Sequence, residues 1–574
     1  MSSCGRPRGL PPIPLIGRSL QQQPVPESVA VPVRATERET CMQKEWCVLA
    51  ADLGTSGCKT ALVTGRGEVL DWAFEPVTTL YFPNGGAEQR PDDWWNAFLT
   101  TSRALLDRHP ELVPQVGAVC FSTQGEGTVP VDADGNALGN CILWMDTRGA
   151  EHLRRITRGL IQLEGYNVWR LFQWIRLTGG VPTRTGKDPA SHMLYIKHEQ
   201  PDVYRQTHKF LNVLDYLNHR LTGRFAATVD SILTSWVTDN RDPDNIKYSA
   251  RLLRYSQIDT DKFPEIVRCT DVLGTLTPKA AGELGLPESV AVVAGAIDVT
   301  AAALGSGAVR DYEPHLYLGT SSWIAAHVPF KKTDIATSLA SVPCAVPGRH
   351  LLIALQATAG GNLAFLKDKV LYHKDELLQE GHVPDVYKIM DRIAERVPAG
   401  SNGVMYTPWI YGERSPIEDR HIRAGLHNLS LENSREDIIR AVYEGVAYNT
   451  RWMLKPVEKF LGRPSGPINV IGGGASSDVW CQIFADVMNR PMRQIKDPIQ
   501  ANVRGAAFLA AVGMGKIRFD EIPALTQISA GFSPNPDTRA VHDAHFREFT
   551  EIYKKNRAIY RRLNTERLGS VWSE

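Results

Sequence analysis

Nine cysteines are scattered over 574 residues with no C-x-x-C pair among them. An odd, dispersed set argues against a disulfide framework and against a paired-cysteine zinc site, and fits reduced thiols in a cytoplasmic setting. Net charge is almost absent as well, at +1, so the chain offers no electrostatic basis for a nucleic acid or an anionic membrane as partner. No apolar run reaches spanning length. The most apolar stretch, "GAAFLAAVGMG" (505–515), reads as a buried helix packed through small residues. Aromatic residues and any helical or strand period are missing from residues 1–45, which include "GRPRGLPPIPLIGRSLQQQPVPESVAVPV". That composition predicts a disordered, Pro-rich extension. It has no secretory apolar core and its prolines oppose an amphipathic targeting helix. Met42, just before the first apolar strand, would serve equally well as a start.

What the chain does have is length and a repeated phrase. Two domains of roughly 200–300 residues each are the natural expectation at this size. The first phrase is "VLAADLGTSGCKTALV" (48–63), an apolar run that meets Asp52, turns at Gly54-Thr55-Ser56-Gly57 and resumes as an alternating strand. A nucleotide-binding loop of the G-x4-G-K-[ST] kind is excluded, because Cys58 precedes Lys59 and a strand, not a helix, follows. The phrase recurs as "LYLGTSSWIAAH" (316–327), with Tyr317 where the first copy has Asp52. Each copy precedes another apolar strand that ends in a glycine-bearing turn, "VGAVCFSTQGEG" (116–127) and "HLLIALQATAGGN" (350–362). Strands alternate with helical stretches such as 91–109 and 434–461, which indicates α/β layers. The expected organisation is therefore a duplicated α/β protein. It has one domain over 46–306, a second over 312–556, a tail over 557–574, and a cleft into which each lobe points a phosphate-friendly turn.

Several residues could carry chemistry there, and each also has a structural explanation. Asp298 follows the strand in "SVAVVAGAIDVTAAALG" (289–305). It is either a helix N-cap or a carboxylate held ionised at a helix N-terminus, ready to accept a proton from a hydroxyl attacking a phosphoryl group. Asp52 is either a turn-capping acid or the partner of a cation, Mg²⁺ being the hard, oxygen-preferring ion that fits. Lys59 divides between a solvated strand lysine and a phosphate contact. Gln124, Gly125 and Glu126 stand at a strand end with glycines nearby, suited to gripping a polyhydroxylated ligand or to forming a surface turn. Asp146 and Arg148 read equally as a structural ion pair. The glycine run of "INVIGGGASSDVW" (468–480) is either a tight turn or a close approach to a ligand.

In this order, "DLGTSGCK" (52–59), "AGAIDVTAAALG", "LYLGTSS", "YGERSP" (411–416) with "RAGLHNLS" (423–430), and "IGGGASSDVW" resemble the FGGY family of carbohydrate kinases over residues 47–556, in particular its xylulose kinase-like branch. The resemblance implies a two-lobed, actin-like, ribonuclease H-like ATPase fold with a central cleft, and an ATP- and Mg²⁺-dependent kinase for a small sugar or polyol. It implies Asp298 as catalytic base and Asp52 beside Mg²⁺. Thr55, Ser56, Lys59 and Thr320 fall on the phosphate turns, and Gly360, Gly474 and Asp478 on the adenosine side. Gln124, Gly125, Glu126 and Asp298 fall on the sugar. Departures bear on the substrate. Xylulose kinases read Gln-Met-His-Gly where this chain has Gln124-Gly125-Glu126-Gly127, and the lysine and tryptophan of the family's first signature are His192 and Tyr195 here. A carboxylate accepts hydrogen bonds from hydroxyls but cannot donate to a ketose carbonyl, so Glu126 leans towards polyols. Glycerol, a tetritol and ribulose remain open beside xylulose, a homodimer is an open assembly state, and the rival of another class is a non-catalytic nucleotide-dependent switch.

Overall fold

The structure, a computed structural model, describes residues 46–163, 165–371 and 385–570, the last five as backbone only. The Pro-rich extension expected over residues 1–45 lies outside these. Both lobes belong to a single unit that begins at Glu45.

The first lobe is built on strands β1 (Cys47–Gly54), β2 (Gly57–Thr64) and β3 (Val69–Pro76), helix α1 (Pro91–Arg108), β4 (Val116–Thr123), α2 (Pro189–Glu199), β5 (Val272–Thr275), β6 (Ala291–Ile297) and α3 (Asp298–Gly305). Its six-stranded sheet has the order β5-β6-β4-β1-β2-β3. The three strands that carry site residues at their carboxyl ends, β1, β4 and β6, are parallel neighbours. Residues alternate between the faces of a strand, and β1 shows it plainly. Leu49, Ala51 and Leu53 pack on the side of Trp94 and Phe98 from α1, whereas Val48 and Ala50 face Phe508 and Leu509 from the other lobe.

The second lobe has β7 (Pro314–Leu318), β8 (Ser322–Val328), β9 (Thr333–Asp334), β10 (Leu339–Pro343), β11 (His350–Gln356), α4 (Gly360–Phe365), α5 (Arg435–Leu461), β12 (Ile468–Ile471), α6 (Asp478–Met488), β13 (Met492–Ile495), α7 (Ala501–Gly513), β14 (Ile528–Phe532) and α8 (Arg539–Ser570). Its sheet order is β9-β10-β11-β8-β7-β12-β13-β14. From β11 to β14 the run of antiparallel and parallel neighbours repeats that from β3 to β5, so the duplication holds at the level of the sheet. One expected correspondence changes. Strand 350–356 occupies the antiparallel outer place of β3, and the parallel counterpart of β4 is β12. Resemblance between glycine turns misled here, because sheet position follows from the neighbour that takes the ladder hydrogen bonds.

Helix α8 runs on past residue 556, where the sequence reading closed the second domain. Tyr560 packs on the lobe's core and Asn564 donates to the His421 carbonyl (2.9 Å), so this stretch is anchored. Each lobe also lends a helix to the other's sheet. Ala302 and Ala303 of α3 pack with Trp323, Ala325 and Ile471, while Val503, Ala506 and Phe508 of α7 pack with Val48, Ala61 and Val293. The two helices touch through small residues, as the composition of 505–515 suggested. A β-carbon on Gly305 would overlap the Ala501 carbonyl, and one on Gly505 that of Ala301.

Candidate active site

Thr55 and Ser56 form the turn between β1 and β2, where a β-carbon on Gly57 would stand 2.5 Å from the Glu75 carbonyl oxygen. Asp52 lies opposite Lys59 in the ladder. Its Oδ1 accepts from Ser122 Oγ (2.7 Å) and, across the lobes, from Asn502 Nδ2 (3.1 Å). Among the described residues no donor reaches Asp52 Oδ2, and Asn502 Oδ1 is buried without a partner. Lys59 Nζ donates to the Ile499 carbonyl (2.6 Å), a tie to the other lobe that neither sequence reading foresaw. Ser56 is exposed at the turn, whereas the Thr55 hydroxyl is engaged: it donates to Gln124 Oε1 (2.9 Å) and accepts from Trp144 Nε1 (3.1 Å). Gln124 Nε2 in turn donates to Gln89 Oε1 (2.9 Å), whose own Nε2 returns to the Thr55 carbonyl (2.7 Å). This closed network locks the first turn to the end of β4.

The second turn is tied to the loop after β11. Gly360 N donates to the Gly319 carbonyl (2.9 Å), and Ala359 and Gly361 donate to the Thr320 carbonyl (2.8 and 3.1 Å). A β-carbon on Gly360 would come within 2.7 Å of the Gly319 oxygen, so glycine permits the approach. Thr320 itself is exposed, and the buried Thr358 hydroxyl has no partner among the described residues. Gly474 lies under Trp480, whose ring would meet its β-carbon at 2.7 Å, and Asp478 Oδ1 accepts from Gln494 Nε2 (2.8 Å). Tyr317, which stands where the first turn has Asp52, stacks on Trp323 at 3.9 Å.

Asp298 is the first residue of α3, and Ile297 takes the cap position. The Ile297 N–H is held by buried Asp230 (3.1 Å), and Asp298 Oδ1 accepts from Val299 N–H (2.7 Å). The helix end does not hold this carboxylate ionised as expected. Loss of water around it, and next the negative charge of Asp52, push its pKa up to about 7, against the single Val299 N–H. One hydrogen bond is outweighed by burial among like charges. Glu126 is half-buried on a left-handed backbone (φ 62°), and Gly125 lies 3.6 Å, as a hypothetical β-carbon, from Ile297. Burial pushes the Glu126 pKa up to about 7; Arg414 and Lys187 oppose the shift and Asp188 adds to it. Lys187 lies outside every motif quoted from the sequence, and Arg414 stands within "YGERSP" without a role assigned there; both act on the Glu126 charge, which the argument for polyols had not counted.

Asp146 and Arg148 take the structural role. Arg148 bridges Asp146 (2.7 Å) and Glu88 (2.5 Å), and Asp146 also accepts from Ala87 N–H (2.9 Å). His192 is buried, with its pKa pushed down to about 4 by that burial, and its Nδ1 lies 3.1 Å from the Thr128 hydroxyl. Tyr195 lies under the Arg148 guanidinium (4.7 Å).

Two sheets of matching order that exchange helices, each with a glycine turn, and a buried acid at the end of β6 are the frame of a two-lobed phosphotransferase. The chain belongs to the FGGY family of carbohydrate kinases: the family's N-terminal domain matches residues 47–305 and its C-terminal domain residues 316–514. It is a sugar kinase, and the family implies ATP as phosphoryl donor. A xylulose kinase of Staphylococcus epidermidis is 28% identical over 516 residues, 89% of this chain and 97% of that one. A gluconokinase of Bacillus subtilis is 25% identical over 496 residues, 86% and 92% of the two chains. In fold the chain is similar to a ligand-bound xylulose kinase from Lactobacillus acidophilus, with a TM-score of 0.78 at 22% identity over 90% of this chain and 99% of that one. No helix among the described residues is long and apolar enough to cross a membrane.

Proposed function

We propose that the enzyme transfers the γ-phosphoryl group of ATP to a hydroxyl of a small sugar of the xylulose type, with Asp298 as general base. The observation that carries this reading is the place of Asp298, at the end of β6 and the start of α3, next to the end of β4 that bears Gln124; a pKa raised to about 7 would suit proton acceptance near neutral pH. Gln124, Gly125 and Glu126 would line the sugar, with Gln124 fixed by Thr55 and Gln89. Ser56, Thr320 and the Thr55 backbone would face the phosphates. Lys59 would add positive charge there, and Gly360, Gly474 and Asp478 would flank the adenosine. Asp52 Oδ2 and Asn502 Oδ1 supply oxygen donors of the kind Mg²⁺ takes alongside nucleotide phosphates. Mg²⁺ bound there would neutralise charge developing on the phosphoryl oxygens. Asp298 would accept the proton of the attacking hydroxyl while the lobes exclude water. Glycerol, a tetritol and ribulose are the alternative acceptors. Among the described residues, the buried thiols of Cys58, Cys120, Cys141, Cys269, Cys344 and Cys481, outside any disulfide, support a reducing, cytoplasmic setting.

An ADP-release assay over xylulose, ribulose, gluconate, pentitols, tetritols and glycerol tests the reading. Asp298→Asn should keep ATP binding and lose turnover by about 10²- to 10⁴-fold, the range for removal of a general base. Near-normal turnover by that variant would return Asp298 to a purely structural place at the start of α3.

A further inference from the structure

The two glycine turns differ in what stands behind them. In the first, the ladder pairs Asp52 with Lys59; in the second, the corresponding place pairs Tyr317 with Trp323. A pair of charges has become a pair of rings, which lie 3.9 Å apart with 7° between their planes. Trp323 is buried and its indole N–H donates to His315 Nε2 (3.2 Å), so the surface on which Tyr317 rests is itself held. The phenol ring also lies against the turn: a β-carbon on Gly319 would come within 2.4 Å of the Tyr317 ring and 2.7 Å of its hydroxyl oxygen. With Ile297, Tyr317 packs on the apolar cluster that contains Val299 and Ala501. Ile297 and Val299 flank Asp298, and Ala501 precedes Asn502, which donates to Asp52 (3.1 Å). The ring is thus fixed between the second turn and the neighbours of both acids.

Its hydroxyl nevertheless makes no hydrogen bond among the described residues, although a sheltered tyrosine O–H ordinarily finds a partner. Loss of water around it, and next the charges of Asp52 and Asp298, push its pKa up, so it stays a neutral donor. On the reading above, the phosphoryl group passes from nucleotide to sugar between those two acids, carrying negative charge on its oxygens. A donor already fixed there needs no reorganisation at the moment of transfer.

We propose that Tyr317 is a further catalytic residue, whose hydroxyl donates a hydrogen bond to a non-bridging oxygen of the phosphoryl group in transfer. This rests on the sugar-kinase reading above. The hydroxyl keeps its proton throughout, and Asp298 remains the group that takes the proton of the attacking hydroxyl. Trp323, with His315 behind it, holds the ring in place. The exchange of acid for phenol in the duplicated phrase then has a chemical sense, because one turn presents an acceptor of cations and the other a donor to anions.

Tyr317→Phe in the full chain tests this, since it removes the hydroxyl and keeps the stack. It should lower kcat by about 10- to 100-fold, between the loss of an ordinary hydrogen bond and that of an oxyanion donor. The factor should be the same on every acceptor that wild type turns over, with KM for the acceptor within about twofold of wild type. Calorimetry without acceptor gives a readout apart from turnover. Binding of the imido analogue of ATP should weaken severalfold, the worth of about one hydrogen bond, while binding of ADP, which lacks the γ-phosphoryl group, stays as in wild type. Turnover within about twofold of wild type overturns the assignment. A loss confined to one acceptor also overturns it, by giving the hydroxyl to the sugar, and so does equal weakening of both nucleotides, by giving it to the packing of the turn. Failure of wild type to turn over any acceptor in the ADP-release assay overturns the kinase reading instead.

Discussion

At the scale of single residues, burial of the Asp298 carboxylate makes the molecule less stable wherever that group is ionised. An acid whose folded pKa is raised binds its proton more tightly in the native state than in the unfolded chain. Between its ordinary value and about 7, the native state therefore holds more protons, and stability falls as pH rises through that window. Above about 7 the destabilisation is fully present, and below the ordinary value it vanishes. Asp298→Asn keeps the Val299 hydrogen bond and loses the charge, so the ligand-free variant should melt higher than wild type at pH 8, with the difference narrowing steadily below pH 7 and closing only near the ordinary carboxylate value. Thermal melts of both proteins across that range check it; a constant difference would mean that Asp298 is not perturbed. Asp298, Asp52, Gln124 and Glu126 were legible in the sequence because each ends a strand beside a glycine turn. Lys187 and Asn502 were not, and Arg414 stood in the quoted "YGERSP" without a role. Their partners lie far away along the chain, as Asn502 does from Asp52, and no local pattern marks a lysine in a loop as different from any solvated lysine.

Among the elements, the helix pair α3 and α7 shows how small residues set geometry. Alanine is ordinarily the better helix former, by up to about 1 kcal/mol over glycine. At position 505 that gain is outweighed, because the new methyl would overlap the Ala301 carbonyl of the facing helix. Forcing atoms into a packed contact commonly destabilises by about 1–3 kcal/mol, and backbone has less freedom to yield than side chains. Gly505→Ala should therefore lower the urea midpoint, and an unchanged midpoint would mean that the helices separate easily. The helix over 505–515 could be anticipated from its run of small apolar residues, but not the sheet it would cover, which belongs to the other half of the chain. Strand 350–356 illustrates the same limit. Its apolar run revealed a strand, whereas its place in the sheet depended on a ladder with β8 that only the folded chain establishes.

At the scale of the whole molecule, Asp52, the acid proposed to stand by the phosphates, is held from both lobes, by Ser122 on one side and Asn502 on the other. Asn502→Ala removes the second lobe's hold without touching the sugar groups. It should raise the Mg²⁺ concentration needed for half-maximal activity severalfold, the net worth of about one hydrogen bond, with KM for the acceptor little changed. An equal rise in both constants would assign Asn502 to general packing.

The contact between Gly305 and Ala501 adds something about motion. Asn502 is the next residue along from that contact, and Asp298 sits at the far end of the same short helix as Gly305, about 10 Å away at 1.5 Å per residue. If the lobes turn against each other about this crossing, the groups nearest it travel least. Asp298 and the Asp52–Asn502 hydrogen bond would then keep their spacing while the mouth of the cleft opens, and cargo would come and go without these groups having to be aligned afresh.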